Sequence, residues 1–222
     1  NPPADAPELP GAPPGLQLVY GDLHVHPSHS SCSPAEDGSP PDNIRLQRDV
    51  LGYRVISLSD HHSISDSDFR QRQDLLEREH AGGRVPIYGL EWNKKPWQHI
   101  NFFTYDKEAM KELRILLHTD LDLQLVFDEI ADGLLDKVCA IRHYHGGQDP
   151  HTYLYDPRIE WGMEVMCGRG DRMATEEGMF GGPSAFPFPV NFIEWRDAKL
   201  AMIGASDHHM SVLGACLTGF WV

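Results

Sequence analysis

The sequence predicts an α/β fold whose strands close into a barrel. Short apolar runs alternate with helical patterns from Leu16 onward, and this alternation is typical of a parallel sheet. His and Asp residues follow several of the runs. In a closed barrel the carboxyl ends of parallel strands meet at one mouth, whereas an open doubly wound sheet places its site at one switch point. A barrel therefore accounts best for ligand-type residues distributed along the whole chain.

Strands are predicted wherever a short run is apolar and rich in β-branched or aromatic residues. The predicted strands are Leu16–Tyr20, Arg54–Leu58, Val85–Leu90, His99–Thr104, Lys137–Ile141, Glu160–Met166 and Lys199–Ala205.

Helices are predicted between several of these strands. Asp42 is a candidate N-cap after two prolines, and Gly82-Gly83 end the second helical pattern. The segments Gly146–Pro157 and Gly168–Pro189 interrupt the alternation and are predicted to be long loops. The predicted helices are Asp42–Leu51, Ser67–His80, Lys107–Leu117, Leu121–Leu135 and the shorter Val190–Ala198.

The chain divides into two regions by composition. Residues 1–15 are rich in proline, so we expect a linker or a processed N-terminus without a core of its own. Residues 16–222 are long enough for one domain with a sizeable core. The apolar run Leu217–Val222 stops at the last residue, and we expect the natural domain to continue beyond it.

Charge and apolar content limit the classes of partner. Lys and Arg number 19 against 33 for Asp and Glu, which gives a net charge of −14. This charge argues against binding to nucleic acid or to an anionic membrane. No apolar run reaches the length of about 18 residues that a membrane span needs. We expect a small-molecule substrate and leave the oligomeric state open. A cytoplasmic location is favoured, with export after signal removal as the alternative.

A repeated motif places histidine and aspartate at strand ends. Ser-Asp-His-His occurs at 59–62 and at 206–209, each time after an apolar run. Another such run leads into Asp22 and then His24-Val25-His26. Residues two apart share a face of a strand, so His24 lies with His26 and Asp207 with His209. Imidazoles and carboxylates collected in this way are typical of a metal site. The alternative, solvated loop histidines, would require the pattern to recur three times by chance.

Three further positions fit the same site. Glu91 follows a buried type of strand, where a charge must be paired or metal-bound; the alternative is a salt bridge to the lysines at 94 and 95. His99 opens the next strand and would, taken alone, be interpreted as a core histidine. His143 and His145 end another apolar run as a second His-x-His pair.

These motifs, in this order, resemble those of the polymerase and histidinol phosphatase (PHP) superfamily of metal-dependent hydrolases. The resemblance covers roughly residues 20 to 210 and implies a distorted (β/α)7 barrel that holds two or three divalent metals. The opening Gly-Asp-Leu-His-Val-His and the closing segment 217–221 also resemble the carbaryl-hydrolase branch. The matching residues are Asp22-Leu23-His24-Val25-His26, Ser59-Asp60-His61, Glu91 with His99, His143, and Asp207 with His209.

The resemblance implies a ligand set. One metal would take His24, His26, Glu91 and Asp207. A second would share Glu91 and add His99 and His143, and a third would use His61 and His209. Zinc, iron and manganese all suit imidazole with carboxylate, so the sequence does not choose among them.

Two segments depart from the family pattern. The third motif commonly reads His-Pro, but here it reads His143-Tyr144-His145. Position favours His143 as the ligand and leaves His145 for contact with substrate. The segment after the first motif is longer than usual, so His29 and Asp37 are both candidates for the extra ligand of a third metal.

The implied chemistry is hydrolysis at phosphorus or at an acyl carbon, with water activated by the metals. Glu91 would bridge the metals, and Asp207 would orient or deprotonate the attacking water. Arg142 and Arg169 are candidates to neutralise an anionic substrate, with a structural ion pair as the alternative. We predict a small-molecule phosphoesterase. The alternatives are an ester or carbamate hydrolase and a non-catalytic metal-binding domain of a larger protein.

Overall fold

A computed structural model of the chain describes residues 13–30, 37–95, 98–144, 154–167, 170–171, 199–207, 213–214 and 216–222. Within them, the strands are β1 (Leu18–Gly21), β2 (Val55–Leu58), β3 (Val85–Lys95), β4 (Gln98–Thr104), β5 (Cys139–Tyr144), β6 (Glu160–Cys167), β7 (Gly170–Asp171), β8 (Ala201–Gly204) and β9 (Thr218–Trp221). The helices are α1 (Pro40–Arg45), extended by a wider π-type turn over Leu46–Val50, α2 (Asp66–Ala81), α3 (Lys107–Leu117) and α4 (Leu123–Gly133). The predicted helix Val190–Ala198 lies outside the described residues, and β7 lies within a segment predicted to be a loop.

The described strands form one mixed sheet in the order β7-β6-β5-β4-β3-β2-β1-β9, with β8 paired to β6. Pairs β1–β2, β2–β3, β5–β6 and β6–β8 are parallel, as the sequence predicts. The prediction of a parallel sheet throughout is wrong at β4, which runs antiparallel to both β3 and β5. The reason is the connection: two residues separate β3 from β4, and a parallel crossover needs a dozen or more. The prediction is also wrong at the edges, where β9 is antiparallel to β1 and β7 to β6.

The sheet nearly closes on itself where β8 approaches β9. Thr218 Oγ1 donates a hydrogen bond to the Gly204 carbonyl at 2.6 Å. A Cβ atom on Gly204 would lie 2.8 Å from the Leu217 carbonyl oxygen, so only glycine permits this approach. Just beyond β8, the Ser206 amide donates to Asp22 Oδ1 at 2.9 Å. These contacts bring the last described strands against the first, so the sheet forms a nearly closed barrel.

Amphipathic helices cover the outside of the barrel. The buried residues of α3 include Met110, Leu113 and Leu117, and those of α4 include Phe127 and Ile130. Their spacing of three or four residues puts one apolar stripe of each helix against the sheet. None of the described helices is long and apolar enough to cross a membrane.

Besides the apolar contacts between the helices and the sheet, one apolar cluster lies inside the barrel, because it joins strands that are not all neighbours in the sheet. It contains Val19, Leu23, Val55, Phe103, Ile141 and Ile203. A cavity of about 260 Å³ adjoins it, lined by residues such as Leu23, Phe103 and Ile203. The polar cluster described next begins at His24, directly after Leu23.

Candidate metal centre

Imidazoles and carboxylates from five segments of the chain meet in a buried cluster. His24, His26, Glu91 and Asp207 each expose 2% or less of their surface, and His61 exposes 6%. Burial of so many ionisable groups requires that they be paired or bind a cation. The cluster consists of His24, His26, His61, Glu91, His99 and Asp207.

Backbone pairing near the ends of β1, β2 and β3 positions the first three segments. Ser59 Oγ accepts the Val25 amide hydrogen at 2.9 Å, and the Ser59 amide donates to the Val25 carbonyl at 2.9 Å. This exchange sets the His24–His26 segment beside His61. His61 in turn forms a parallel bridge with Glu91. The serine of the first Ser-Asp-His-His motif therefore has a positioning function in this fold.

The reversed direction of β4 places His99 at the same end of the barrel. His99 is the second residue of β4, and Glu91 lies on the antiparallel neighbour β3. Because β4 runs antiparallel to β3, the start of β4 lies at the sheet edge where β3 ends. His99 is also the register partner of His143 on β5. The side chain of His143 lies outside the described part of the structure, as do all atoms of His145, His209 and Arg169.

Glu91 is the centre of the cluster. Its Oε2 lies 2.9 Å from His61 Nε2, 3.2 Å from His26 Nε2 and 3.6 Å from His24 Nε2. Its Oε1 lies 2.6 Å from His99 Nδ1. The alternative of a salt bridge to Lys94 is not what the structure shows, because Lys94 donates to the Thr119 carbonyl instead. The side chain of Lys95 lies outside the described residues.

Asp207 approaches the same imidazoles from the other side. Its Oδ1 lies 3.6 Å from His24 Nε2 and 3.7 Å from His26 Nε2, and the two Nε2 atoms are 2.8 Å apart. Asp207 has a φ of 43°, the one positive value at a non-glycine position among the described residues. Strained backbone of this kind concentrates at functional sites, and aspartate tolerates it better than most residues.

The ligand-type atoms form two groups, in each of which all atoms lie within 4.8 Å of one another. His24, His26 and Asp207 make one group; His26, His61 and Glu91 make the other. Imidazole nitrogen with carboxylate oxygen is a donor set that suits zinc, iron or manganese. The residues present therefore fit divalent metals. The grouping of His61 with Glu91 differs from the family pattern, in which His61 belongs to a third metal.

Electrostatics in the cluster favour charged forms. Burial alone would raise the pKa of Glu91, but hydrogen bonds with His24, His26, His61 and His99 outweigh it and hold that pKa well below its usual range. Burial alone would lower the pKa of His24, yet the charges of Glu164 and Asp207 raise it well above the usual value. The carboxylates around His24 thus favour its protonated form, and a bound cation would take the place of that positive charge.

Neighbouring polar side chains hold three of the imidazoles from behind. The Nδ1 atoms of His24, His26 and His61 lie 2.7 Å from Glu164 Oε2, 3.3 Å from Ser30 Oγ and 2.9 Å from Asn93 Nδ2, respectively. In each case Nδ1 faces outward and Nε2 faces Glu91 or Asp207. Glu164 is not among the positions predicted from the sequence. A charge within the apolar strand around residue 164 was the available signal, and it is the signal that identified Glu91.

Asp22 lies directly behind the cluster and is completely buried. It accepts hydrogen bonds from the amide of His24 at 3.2 Å, from the amide of Ser206 and from the Ser206 hydroxyl. Burial raises the pKa of Asp22 to about 7, although the hydrogen bonds from Ser206 partly offset this effect. Asp22 therefore connects the backbone at His24 with the backbone at Ser206, which precedes Asp207.

Three other predicted positions have partners outside the cluster. Arg142 is buried, and its Nε donates to Glu160 Oε2 at 2.7 Å, with Nη2 also on that carboxylate. These contacts match the structural ion pair, which was the alternative role for Arg142. A contact between Arg142 and substrate stays a prediction. His29 is exposed, and its Nδ1 lies 3.2 Å from Asp68 Oδ1. Asp37 is buried, and neither His29 nor Asp37 belongs to a described ligand group.

Comparison with known proteins shows the fold. The chain matches the crystal structure of a two-domain protein from Bacteroides vulgatus that contains a predicted PHP-like metal-dependent phosphoesterase, with a TM-score of 0.56 and 20% sequence identity. The match covers 92% of this chain and 56% of that protein, so the chain spans a little over half of its length. The predicted α/β barrel of the PHP type is confirmed. No family model and no curated protein matches the sequence.

Proposed function

We propose that this chain is a PHP-type metal-dependent hydrolase that acts on a small phosphate ester. The observation that carries the proposal is the position of Glu91, whose two carboxylate oxygens contact the buried imidazoles of His24, His26 and His61 and the partly exposed imidazole of His99. A structural ion pair needs one partner for a carboxylate. Four imidazoles around one carboxylate, with Asp207 close by, are instead typical of a site for more than one divalent ion. The likeness to a predicted metal-dependent phosphoesterase supports the same class.

Two sets of residues would hold the ions. His24, His26 and Asp207 would form one set, and His61, His99 and Glu91 would form the other, with Glu91 close enough to both to be shared. When bound, divalent ions would supply an acidified water and positive charge for an anionic substrate. Zinc, iron and manganese remain the candidates.

Asp207 would then act on the attacking water. Its carboxylate lies beside the two imidazoles of the first set. The carboxylate is also buried, so bulk water has little access to it. A carboxylate in this position would accept a proton from water as the water oxygen bonds to phosphorus and the bond from phosphorus to the ester oxygen breaks, which releases the alcohol. The left-handed backbone of Asp207 and the Asp22 hydrogen bonds to Ser206 fix the direction in which the carboxylate points.

The phosphate ester is the proposed substrate because buried imidazoles together with bound divalent cations would favour an anion. The net charge of −14 argues for a small substrate rather than a polynucleotide. The resemblance to the carbaryl-hydrolase branch gains no support from the structural neighbour. An ester or carbamate substrate is therefore an outcome of the test below.

The test combines metal analysis with a hydrolysis screen. Protein purified without chelator should contain two or three divalent ions per chain by elemental analysis. The metal-loaded protein should hydrolyse a phosphomonoester or a cyclic phosphodiester faster than an aryl ester or an aryl carbamate. Glu91→Gln is the control: it should lose at least one ion and most of the rate while it stays folded by circular dichroism. Less than one ion per chain, or hydrolysis of the carbamate alone, would refute the proposal.

A further inference from the structure

Glu164 is a charged side chain that contacts the outward Nδ1 atom of an imidazole in the cluster, His24. Ser30 and Asn93, which contact His26 and His61, are neutral. Glu164 is 1% exposed, as is the side chain of His24, and Oε2 lies 2.7 Å from His24 Nδ1. The two residues are separated by 140 positions in the sequence, so the contact is made only by the folded barrel.

A buried carboxylate at this distance fixes which nitrogen carries the hydrogen. An ionised carboxylate only accepts hydrogen bonds, so Nδ1 must be protonated to hold Glu164 at 2.7 Å. In neutral His24, the form that binds a metal, the lone pair is then on Nε2. That atom faces Asp207 at 3.6 Å and Glu91 at 3.6 Å. The side-chain amide of Asn101 also reaches Nδ1, at 3.1 Å, and half a turn of this amide would present its oxygen to the same hydrogen.

We propose that Glu164 is a positioning residue that fixes His24 as an Nε2 ligand and makes the group His24, His26 and Asp207 the tighter of the two metal sites. The inference rests on the proposed metal centre. A carboxylate behind a metal-binding histidine orients the ring and increases the basicity of the ligand nitrogen, and its loss typically weakens metal binding 10- to 100-fold. Asn93, the neutral partner of His61, supplies orientation without that charge, so the set His61, His99 and Glu91 should bind more weakly.

The variants separate the hydrogen bond of Glu164 from its charge. Glu164→Gln keeps an acceptor of nearly the same shape, and Glu164→Ala removes both acceptor and charge. Asn93→Ala is the matched change behind His61. Glu160→Gln is the control for destabilisation alone, since Glu160 lies on the same strand but pairs with Arg142. All four should be compared by zinc titration at one fixed pH.

The expected result is specific to one ion. Glu164→Ala should weaken the tighter zinc site about 10- to 100-fold, Glu164→Gln should weaken it less, and both should leave the weaker site unchanged. Asn93→Ala should affect only the weaker site, and Glu160→Gln should lower stability without affecting either. An unchanged tight site in Glu164→Ala would overturn the inference. So would the complete loss of one equivalent of zinc, since that would make Glu164 a metal ligand itself.

A spectroscopic measurement tests the contact independently of catalysis and of metal. Long-range ¹⁵N–¹H correlation of the imidazole rings should show a hydrogen on His24 Nδ1 in the metal-free and in the zinc-loaded protein, and Glu164→Ala should shift this signal upfield. Zinc bound at Nδ1, or a signal that does not respond to Glu164→Ala, would overturn the inference. If wild-type protein binds no zinc, the proposed function fails, while the metal-free spectrum still decides whether Glu164 holds His24.

Discussion

Asp22 and Ser206 join the end of the first strand to the segment that follows β8. Both the amide and the hydroxyl of Ser206 donate to the Asp22 carboxylate, and Ser206 Oγ accepts the Gly214 amide hydrogen at 3.0 Å. The same carboxylate accepts from the His24 amide. One buried side chain therefore sets the spacing between His24 and Asp207, which come from opposite ends of the barrel sequence.

Replacement of Asp22 should affect both the fold and the metal centre. Asp22→Ala leaves the buried Ser206 and His24 amides without their acceptor, which should lower the free energy of unfolding by about 1–3 kcal/mol for each unsatisfied group. It should also weaken zinc binding, because Asp207 is no longer held. Asp22→Asn keeps an acceptor oxygen and should retain most of the zinc affinity. Urea unfolding and zinc titration measure the two effects, and equal behaviour of the two variants would contradict the role of the hydrogen bonds.

Substitution of Arg142 distinguishes a structural ion pair from a contact with substrate. Arg142→Ala leaves the carboxylate of Glu160 buried without its guanidinium, and such a loss typically destabilises by about 3–5 kcal/mol. Arg158→Ala is the control, since Arg158 pairs with Asp156 and Asp128 near the surface and should lose about 1 kcal/mol or less. If Arg142→Ala unfolds at the wild-type urea concentration but loses activity, Arg142 contacts substrate instead.

Asp106 should stabilise the start of α3 in a pH-dependent manner. Its carboxylate accepts from the amides of Glu108 and Ala109, and these bonds, with Lys137, hold the pKa of Asp106 below its usual value of 3.8. A lowered pKa in the folded state stabilises above the unfolded pKa and is lost as pH falls through the folded one. Asp106→Ala should therefore lose about 1 kcal/mol at pH 7 and progressively less below pH 3.8.

The matched variant for that measurement is Asp106→Asn, which caps a helix nearly as well as aspartate but carries no charge. It should retain most of the stability at pH 7, and the part that it loses reports the interaction with Lys137. A difference between wild type and Asp106→Ala that stays constant down to pH 2 would contradict the assignment.

Cys139 should be an unreactive thiol. Burial raises the pKa of the Cys139 thiol to about 11, so roughly one molecule in a thousand carries the thiolate at pH 8, against about a quarter for an ordinary cysteine. Alkylation of Cys139, followed by mass spectrometry of its peptide, should be slow and should accelerate about tenfold per pH unit up to pH 10. Protein unfolded in guanidinium supplies the reference rate. A plateau below pH 9.5 in the folded protein would contradict the raised pKa.

The sequence identified the residues of the cluster better than it identified their arrangement. His24, His26, Glu91 and Asp207 were predicted from their positions at strand ends, and the structure brings them together. His99 was included although it begins a strand, and a parallel sheet would have placed it at the wrong edge. The antiparallel direction of β4 resolves this conflict. That direction depends on the length of the β3–β4 connection, which the strand patterns fix only to within a few residues.

Glu164 and Arg142 show the limit of residue-by-residue reasoning. A buried charge predicts that a partner exists but does not say where the partner lies. Glu164 contacts His24, which lies 140 positions away in the sequence, and Arg142 pairs with Glu160 on the adjacent strand. Both pairs follow from strand order and from the face of the sheet on which each residue lies. The sequence patterns predict alternating strands and helices, but they do not define the order of the strands in the sheet.

The contacts of the cluster differ greatly in the length of chain that each encloses, and this has a consequence for how the barrel forms. Glu91 and His99 are 8 positions apart within one hairpin, whereas Asp22 and Ser206 are 184 apart. Closing a short loop loses far less chain entropy than closing a long one. The Glu91–His99 contact in the β3–β4 hairpin should therefore form early, and the Asp22–Ser206 contact should form late. An ion that binds only the finished cluster stabilises that last step by mass action. In a cell, the supply of divalent metal would thus help to determine how much of the chain completes its barrel and how much stays open to proteases.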